Sequence, residues 1–350
     1  MADSILSRPT LIGTMRESPL YESMNTNGLG TILLIGHADA NVMYEPFQVV
    51  NMQEAVNYLQ ADSNSPLLRS MLEVYNAGIR DIWIYAAAPM NEYVDVTADR
   101  TALLSSISGK ASIDESFYER WQTRLASAYS ALLESDFYEI VVPVEAVHYD
   151  SGDVDFTTQL AEFCIDSFAT SGSACIGILG TRISSFSQAS IDAMVNDPRL
   201  ATIGDGGKFV LVVVGEGLIN SVQMPVSYKT NMACQTAALL SDNDLSRSIA
   251  GLNLPGIVSL NGNNLSDPQI QQLALAKLNP AVRSARGKRG TPYQVKLITD
   301  NTLATDGSDY WASSQTLLIT RCINTIRDYG WVFIGSTNIE GFERSVNSYL

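Results

Sequence analysis

Five short runs of this chain are apolar along almost their whole length: TILLIG (31–36), DIWIYAA (81–87), YEIVVPVE (138–145), ACIGILG (174–180) and KFVLVVVG (208–215). Each has strand length and shows no polar alternation, so each reads as a strand covered on both faces. Strands of that kind belong to largely parallel sheets sandwiched between helices. Helical patterns stand between them. NMQEAVNYL (51–59) has Asn51 as N-cap with Glu54 three residues on, and SPLLRSMLEVYNAG (65–78) has Pro66 at its first turn and Gly78 past its end. Further helices are predicted at about 117–134, 156–169, 185–195 and 229–241. The alternation indicates an α/β protein, and 350 residues suit two or three packed units better than one small core.

The remaining stretches punctuate this order. Residues 1–28, with Pro9, Pro19 and only Thr10, Leu11 and Ile12 as an apolar patch, read as an extended arm. A polar stretch at 88–114 reads as a loop or insertion. GLNLPGIVSLNGNNLSDP (251–268) separates a last module: a helix at 268–278, a basic loop, the strand YQVKLIT (293–299) and a long helix at about 310–328.

Charge is distributed unevenly. Net charge is −15, yet residues 1–280 carry −17 and residues 281–350 carry +2. Six basic residues and no acidic one lie between Pro268 and Thr299, centred on RSARGKRG (283–290) with Arg283, Arg286, Lys288 and Arg289, followed by Lys296. An acidic chain with one basic segment is not built to neutralise phosphates over a broad face, which argues against nucleic acid as the partner. Only 17% of residues are charged, below the usual quarter, and a surface so rich in neutral polar groups suits extensive protein contact.

No catalytic constellation emerges. The two histidines, His37 in GHAD and His148, stand beside no nucleophile elbow and read as loop residues with satisfied hydrogen bonds. GKAS (109–112) has Leu104 where a phosphate-binding loop needs glycine, GDGGKFV (204–210) precedes its strand, and Gly28 and Gly30 lie on the wrong side of theirs. The pairs Asp153/Asp155 and Asp242/Asp244 lack calcium-ligand spacing and read as solvated loops. Cys164, Cys175, Cys234 and Cys322 are too far apart for a zinc knuckle or redox pair and are expected as free thiols, the first three buried. MADSILSRPT has no signal-peptide core and no window approaches a membrane span, so a cytoplasmic product without membrane insertion is expected. The residues imply no enzyme, no cofactor and no metal, and a structural or binding role.

Two stretches carry a resemblance. In residues 28–87 a first strand ends in Gly36-x-Ala38, then come Glu45-Pro46-Phe47, a helix with Glu54-Ala55, and Ser65-Pro66-Leu67 opening a helix that ends in Ala-Gly-x-Arg-Asp at Asp81. In LNLPGIVSL (252–260) and RGTPYQVKLITDNTLATDGSDYWASSQTLLITRCINTIRDY (289–329) a Leu-Pro-Gly segment precedes a Gly-x-x-x-x-Val-x-x-Ile-Thr strand, an Asp-Gly-x-Asp-Tyr turn and a long helix with Arg321 near its middle. Together, in this order, they resemble the contractile tail sheath proteins of phage tails and related injection systems, over about 110 residues. Between them the match is one of pattern only.

The resemblance implies an α/β fold, α+β in parts: a sheath-type core with a mixed sheet flanked by helices, an outer inserted α/β domain and extended terminal arms. It divides the chain into an arm (1–28), a first α/β unit (29–87), an outward-facing middle (88–250), a core module facing a tube (251–330) and a second arm (331–350) or a shortened one. It implies a subunit that polymerises as stacked hexameric rings around an inner tail tube and contracts without nucleotide, in a virion tail assembled in a host cytoplasm. The partners implied are further copies of itself, the tube protein, and baseplate and tail terminator proteins. Arg283, Arg286, Lys288, Arg289 and Lys296 are then expected to meet the tube or a neighbouring subunit, and Thr10, Leu11 and Ile12 to join a neighbour's sheet by strand addition. Two other readings stand beside it: a non-contractile tail or baseplate protein of the same fold, and a doubly wound enzyme with a polar pocket at its strand carboxyl ends.

Overall fold

A computed structural model describes residues 30–38, 45–59, 65–93, 111–135, 137–149, 154–183, 186–219, 228–244, 247–262, 264–284 and 294–333. The chain order is β1 (Ile32–Ala38), β2 (Phe47–Gln48), α1 (Met52–Leu59), α2 (Pro66–Asn76), β3 (Ile82–Pro89), α3 (Ala111–Leu132), β4 (Ile140–Pro143), α4 (Phe156–Ser171), β5 (Ile176–Gly180), α5 (Gln188–Val195), α6 (Pro198–Thr202), β6 (Val210–Val214), β7 (Gly217–Ile219), β8 (Tyr228–Thr230), α7 (Ala233–Asp242), β9 (Ile257–Leu260), α8 (Asp267–Leu275), β10 (Asn279–Arg283), β11 (Val295–Leu297) and α9 (Ser313–Phe333). All five apolar runs contain strands of one sheet. That sheet has eight strands in the order β11-β10-β6-β5-β4-β1-β3-β2, and β7 lies between β8 and β9 in a second, three-stranded sheet. The neighbours from β3 through β10 are parallel, and β2 and β11 close the two ends antiparallel.

Burial explains the sequence pattern. Along β1, Ile32 and Leu34 enter one core with α2, α7 and the small sheet, while Leu33 and Ile35 enter the other with α3 and α4. Successive strand side chains point to opposite faces, so a strand covered on both sides must be apolar throughout. Close approach of backbones fixes some glycines: a Cβ on Gly180 would stand 2.1 Å from the Asn231 carbonyl oxygen.

Capping signals place the helices. Asn51 Oδ1 accepts from Gln53 N at 2.9 Å, and Ser65 caps α2 with Pro66 in its first turn and Gly78 beyond it at φ 107°. Other expectations change. Asp155 is no solvated loop residue: its carboxylate caps α4 by accepting from Thr157 N and Thr158 N. The helix expected from 229 starts at Ala233 because Tyr228–Thr230 pairs with β7. The basic loop begins later than expected, because Asn279–Arg283 is a strand paired to β6 and β11. The long last helix runs five residues beyond 328, to Phe333. His37 is not in a loop but within β1, almost fully buried.

One further feature concerns domain organisation. The eight-stranded sheet takes strands from 29–87, from 88–250 and from 251–330, so the three segments share a single sheet.

Candidate functional site

The ends of the two sheets determine what this chain can offer a neighbour. At one end of the large sheet, β10 and β11 form an antiparallel hairpin with Ala281 opposite Leu297, Val282 opposite Lys296 and Arg283 opposite Val295, and Ser284 N donates to Gln294 O at 2.8 Å. Ala281, Val295 and Leu297 are buried, so the pleat places Arg283 at the rim of that core face and Lys296 on the opposite face. The expected contact residues Arg283 and Lys296 thus share a hairpin but not a face. Arg286, Lys288 and Arg289 lie outside the described residues, as do Thr10, Leu11 and Ile12.

The outer edge of β11 is occupied by the Leu-Pro-Gly segment. Gly251 N donates to Leu297 O at 2.6 Å, Leu297 N to Leu252 O at 3.1 Å and Leu254 N to Val295 O at 2.9 Å, with Asn253 bridged to Lys296. The small sheet is different. β7 pairs with both β8 and β9, and among the described residues no strand pairs with the outer edge of either. On β9, Val258 is 51% exposed. An edge that no described strand pairs, beside an exposed Val, is a template for an added strand.

The last helix is tied down by polar groups. Buried Asp300 accepts from Ser313 Oγ, from Ser314 Oγ at 2.5 Å and from Ser248 Oγ at 2.8 Å, while its carbonyl accepts from Ser313 N at 2.9 Å. A carboxylate at that helix start also satisfies the macrodipole. Arg321 Nε donates to Glu139 Oε2 at 2.7 Å, and Asn324 brackets the Ala174 backbone at 2.8 and 3.0 Å. Burial pushes the Glu139 carboxyl up and Arg321 opposes it. Asn279 is a second hub, accepting from Asn301 N at 2.7 Å and donating to Val212 O at 3.0 Å. Neither Asp300 nor Asn279 was singled out by sequence reasoning, since each looks like an ordinary turn residue.

The strand order β3-β1-β4-β5-β6 is that of doubly wound enzymes, in which ligands bind beyond the strand carboxyl ends where the order reverses, here between β1 and β4. That crevice is filled. A Cβ on Gly36 would stand 3.1 Å from Leu67 Cβ and 3.2 Å from Val144 Cβ, and Ser65 Oγ donates to His37 O at 3.0 Å. The His37 ring packs on Trp121 at 4.3 Å, Tyr93 and Phe117, and burial lowers its pKa to about 4. His148, bonded to Thr157 at 2.8 Å, is also lowered to about 4 by burial. Both rings are neutral and sealed from water.

Beside the crevice a polar pocket is lined by Arg69, Glu73, Glu145, Tyr228, Lys229 and Asn231. Burial raises the Glu73 pKa to about 7, against hydrogen bonds from Tyr228 and Gln235. Glu145 is paired with Arg182. The Arg69 guanidinium lies over the Tyr228 ring, 5.4 Å from its centroid. Cys164, Cys175 and Cys234 are buried free thiols and Cys322 is an exposed one. Among the described residues no His, Cys, Asp or Glu group could hold a metal ion, and no helix is long and apolar enough to cross a membrane.

An eight-stranded mixed sheet with helices on both faces and a small second sheet is the fold of contractile tail sheath proteins, as comparison with solved structures establishes. The sheath tail protein Lin1278 from Listeria innocua superposes at TM-score 0.58 and 10% identity, over 91% of this chain and 79% of that one. The sheath tail protein DSY3957 from Desulfitobacterium hafniense gives 0.56 at 12%, over 92% and 84%. A chain in the contracted baseplate of the anti-feeding prophage gives 0.59 at 14%, over 95% and 80%. At these identities the likeness is one of fold. No protein-family model and no curated protein matches the chain.

Proposed function

We propose that this chain is a subunit of a contractile tail sheath. It polymerises as stacked hexameric rings around an inner tube and shortens to drive that tube through an envelope. The observation that carries this reading is the sheath fold itself, shared over nine-tenths of the chain with Lin1278. The open edge of β9 supports it, because an extended segment such as that around Thr10, Leu11 and Ile12 of a neighbour can satisfy those backbone groups. Contacts of that kind are head-to-tail and propagate into an open array. The stopper in the crevice between β1 and β4 speaks for a structural role over a catalytic one.

In this assembly 251–330 and the first arm form the layer against the tube, and 88–250 faces outward. Arg283, Arg286, Lys288, Arg289 and Lys296 meet acidic groups of the tube or of the next subunit. Exposed ion pairs contribute about 0–1 kcal/mol each, so an array of them sets register and still breaks during contraction. Further partners are baseplate and terminator proteins, and the place of action is a tail assembled in a host cytoplasm.

The test is electron microscopy of the purified chain at rising concentration, with and without a tube. Hollow helical tubes are the expected outcome, and persistent monomers under both conditions would overturn the proposal. A second reading, a baseplate component, draws on the anti-feeding prophage baseplate chain; it predicts closed rings that stop growing.

A further inference from the structure

The small sheet joins the body of the molecule largely through apolar contacts, with Ile219, Ile257 and Leu260 in one core with α2 and α7. Between α2 and β8 the contact is polar instead. Glu73 on α2 accepts from Gln235 Nε2 on α7 and shares a hydrogen bond with the Tyr228 hydroxyl on β8. Arg69, one turn earlier on α2, lies over the Tyr228 ring. Lys229, Cys234 and Glu145 line the same pocket, and Glu145 is paired with Arg182. β8 itself is held by three residue pairs with β7, Gly217 opposite Thr230, Leu218 opposite Lys229 and Ile219 opposite Tyr228, and among the described residues no strand covers its other side. A strand so short depends on what its side chains meet.

Glu73 is the group on which this contact turns. As a neutral carboxyl it offers an oxygen to Gln235 and a hydroxyl to share with Tyr228, and needs no further hydration. As a carboxylate it needs water, since burial outweighs the two hydrogen bonds and the Arg69 charge and raises its pKa to about 7. The pocket has room for about one water, so a charged Glu73 is hydrated only if the pocket walls part. Two of those walls are anchored in the core, α2 through Leu67, Met71 and Val74 and α7 through Ala233, Cys234 and Ala237. β8 is the wall that can yield.

We propose that Glu73 is a proton-operated latch on β8: protonated, it seats the strand against α2, and ionised, it lets the strand lift so that water reaches the carboxylate. The small sheet is then more firmly seated in mildly acidic than in mildly alkaline solution. Its outer edges are those that no described strand pairs, so the latch acts on the element proposed above to receive a neighbour. The latch itself rests on the Glu73 cluster and the short pairing of β8, and holds whether or not the chain assembles as a sheath.

Hydrogen exchange of the full chain, followed by mass spectrometry and corrected for the chemical effect of pH, tests the latch. A carboxyl that titrates at about 7 in the seated strand and at 4.5 in the lifted one makes lifting about tenfold more favourable at pH 8 than at pH 6, with a plateau above 7. Protection of Gly217–Ile219 and Tyr228–Thr230 is therefore expected to fall about tenfold between those two values in the native chain and to stay level in Glu73→Gln. An equal fall in both proteins, or none in the native chain, overturns the proposal. So does a fall shared by β1 and β5, which marks opening of the whole molecule. Should Glu73→Gln not fold, the native chain decides alone: the fall must be confined to β7 and β8 and must level off above about pH 7, and a fall that keeps growing above it overturns the latch.

Discussion

Arg321 and Glu139 meet across 182 positions of sequence to fix the middle of α9 against the start of β4. Both side chains are mostly buried, and removing one member of a buried pair leaves the other desolvated without compensation. Arg321→Ala is therefore expected to cost about 3 kcal/mol in urea unfolding, and an unchanged midpoint would show the pair to be idle. Glu73 offers a test by pH. Part of the residue reaches the surface, but its carboxyl is desolvated and its pKa is raised from 4.5 to about 7. A carboxyl raised on folding holds its proton more tightly in the native state, so its stabilising share is complete below the unfolded value and is lost as pH rises through about 7. Glu73→Gln should therefore raise the melting temperature at pH 8 and change it little at pH 5. An equal shift at both values would contradict this. Residue roles were the least legible in the sequence. Arg321 stood out through its place in a recognisable helix, whereas Glu73, Asp300 and Asn279 look ordinary until distant segments converge on them. His37 was misplaced because GHAD resembles a turn, while its ring spends its apolar area on Trp121 and Phe117.

Elements were legible in proportion to their burial. The five apolar runs and the capped helices α1 and α2 could be read directly, because burial on both faces and cap chemistry leave local marks. β7, β8 and β10 could not. β7 and β8 have three residues each and β10 contains a proline; their pairing is decided by partners far along the chain, not by their own composition. The small sheet, which two of them help to form, has outer edges that no described strand pairs. Val258→Lys on β9 is expected to leave the melting temperature of the monomer nearly unchanged and to abolish tube growth, since an edge lysine discourages strand addition. Tubes of normal length from this variant would exclude β9 as the docking edge.

At the scale of the whole molecule, composition and alternation announced an α/β protein, yet did not announce that one sheet would draw strands from three chain segments. Parallel neighbours are far apart in sequence, and strand order is set by crossovers that leave no local trace. Two cores, one on each face of that sheet, link elements from β1 to α9. Calorimetry should accordingly show one cooperative transition for the body of the chain, despite its length. Well-separated transitions for 29–87, 88–250 and 251–330 would refute this. The segment Leu252–Leu254 along β11 bears on how such a sheet avoids joining to others. A wide sheet with a bare border is prone to stick to its own kind in a crowded cell, and here the chain has laid its own hem over that border. Among the described residues, the outer edges of β8 and β9 in the small sheet have no paired strand. If the chain assembles as proposed, growth would then be confined to the short edges of the small sheet, away from the covered border of the large one.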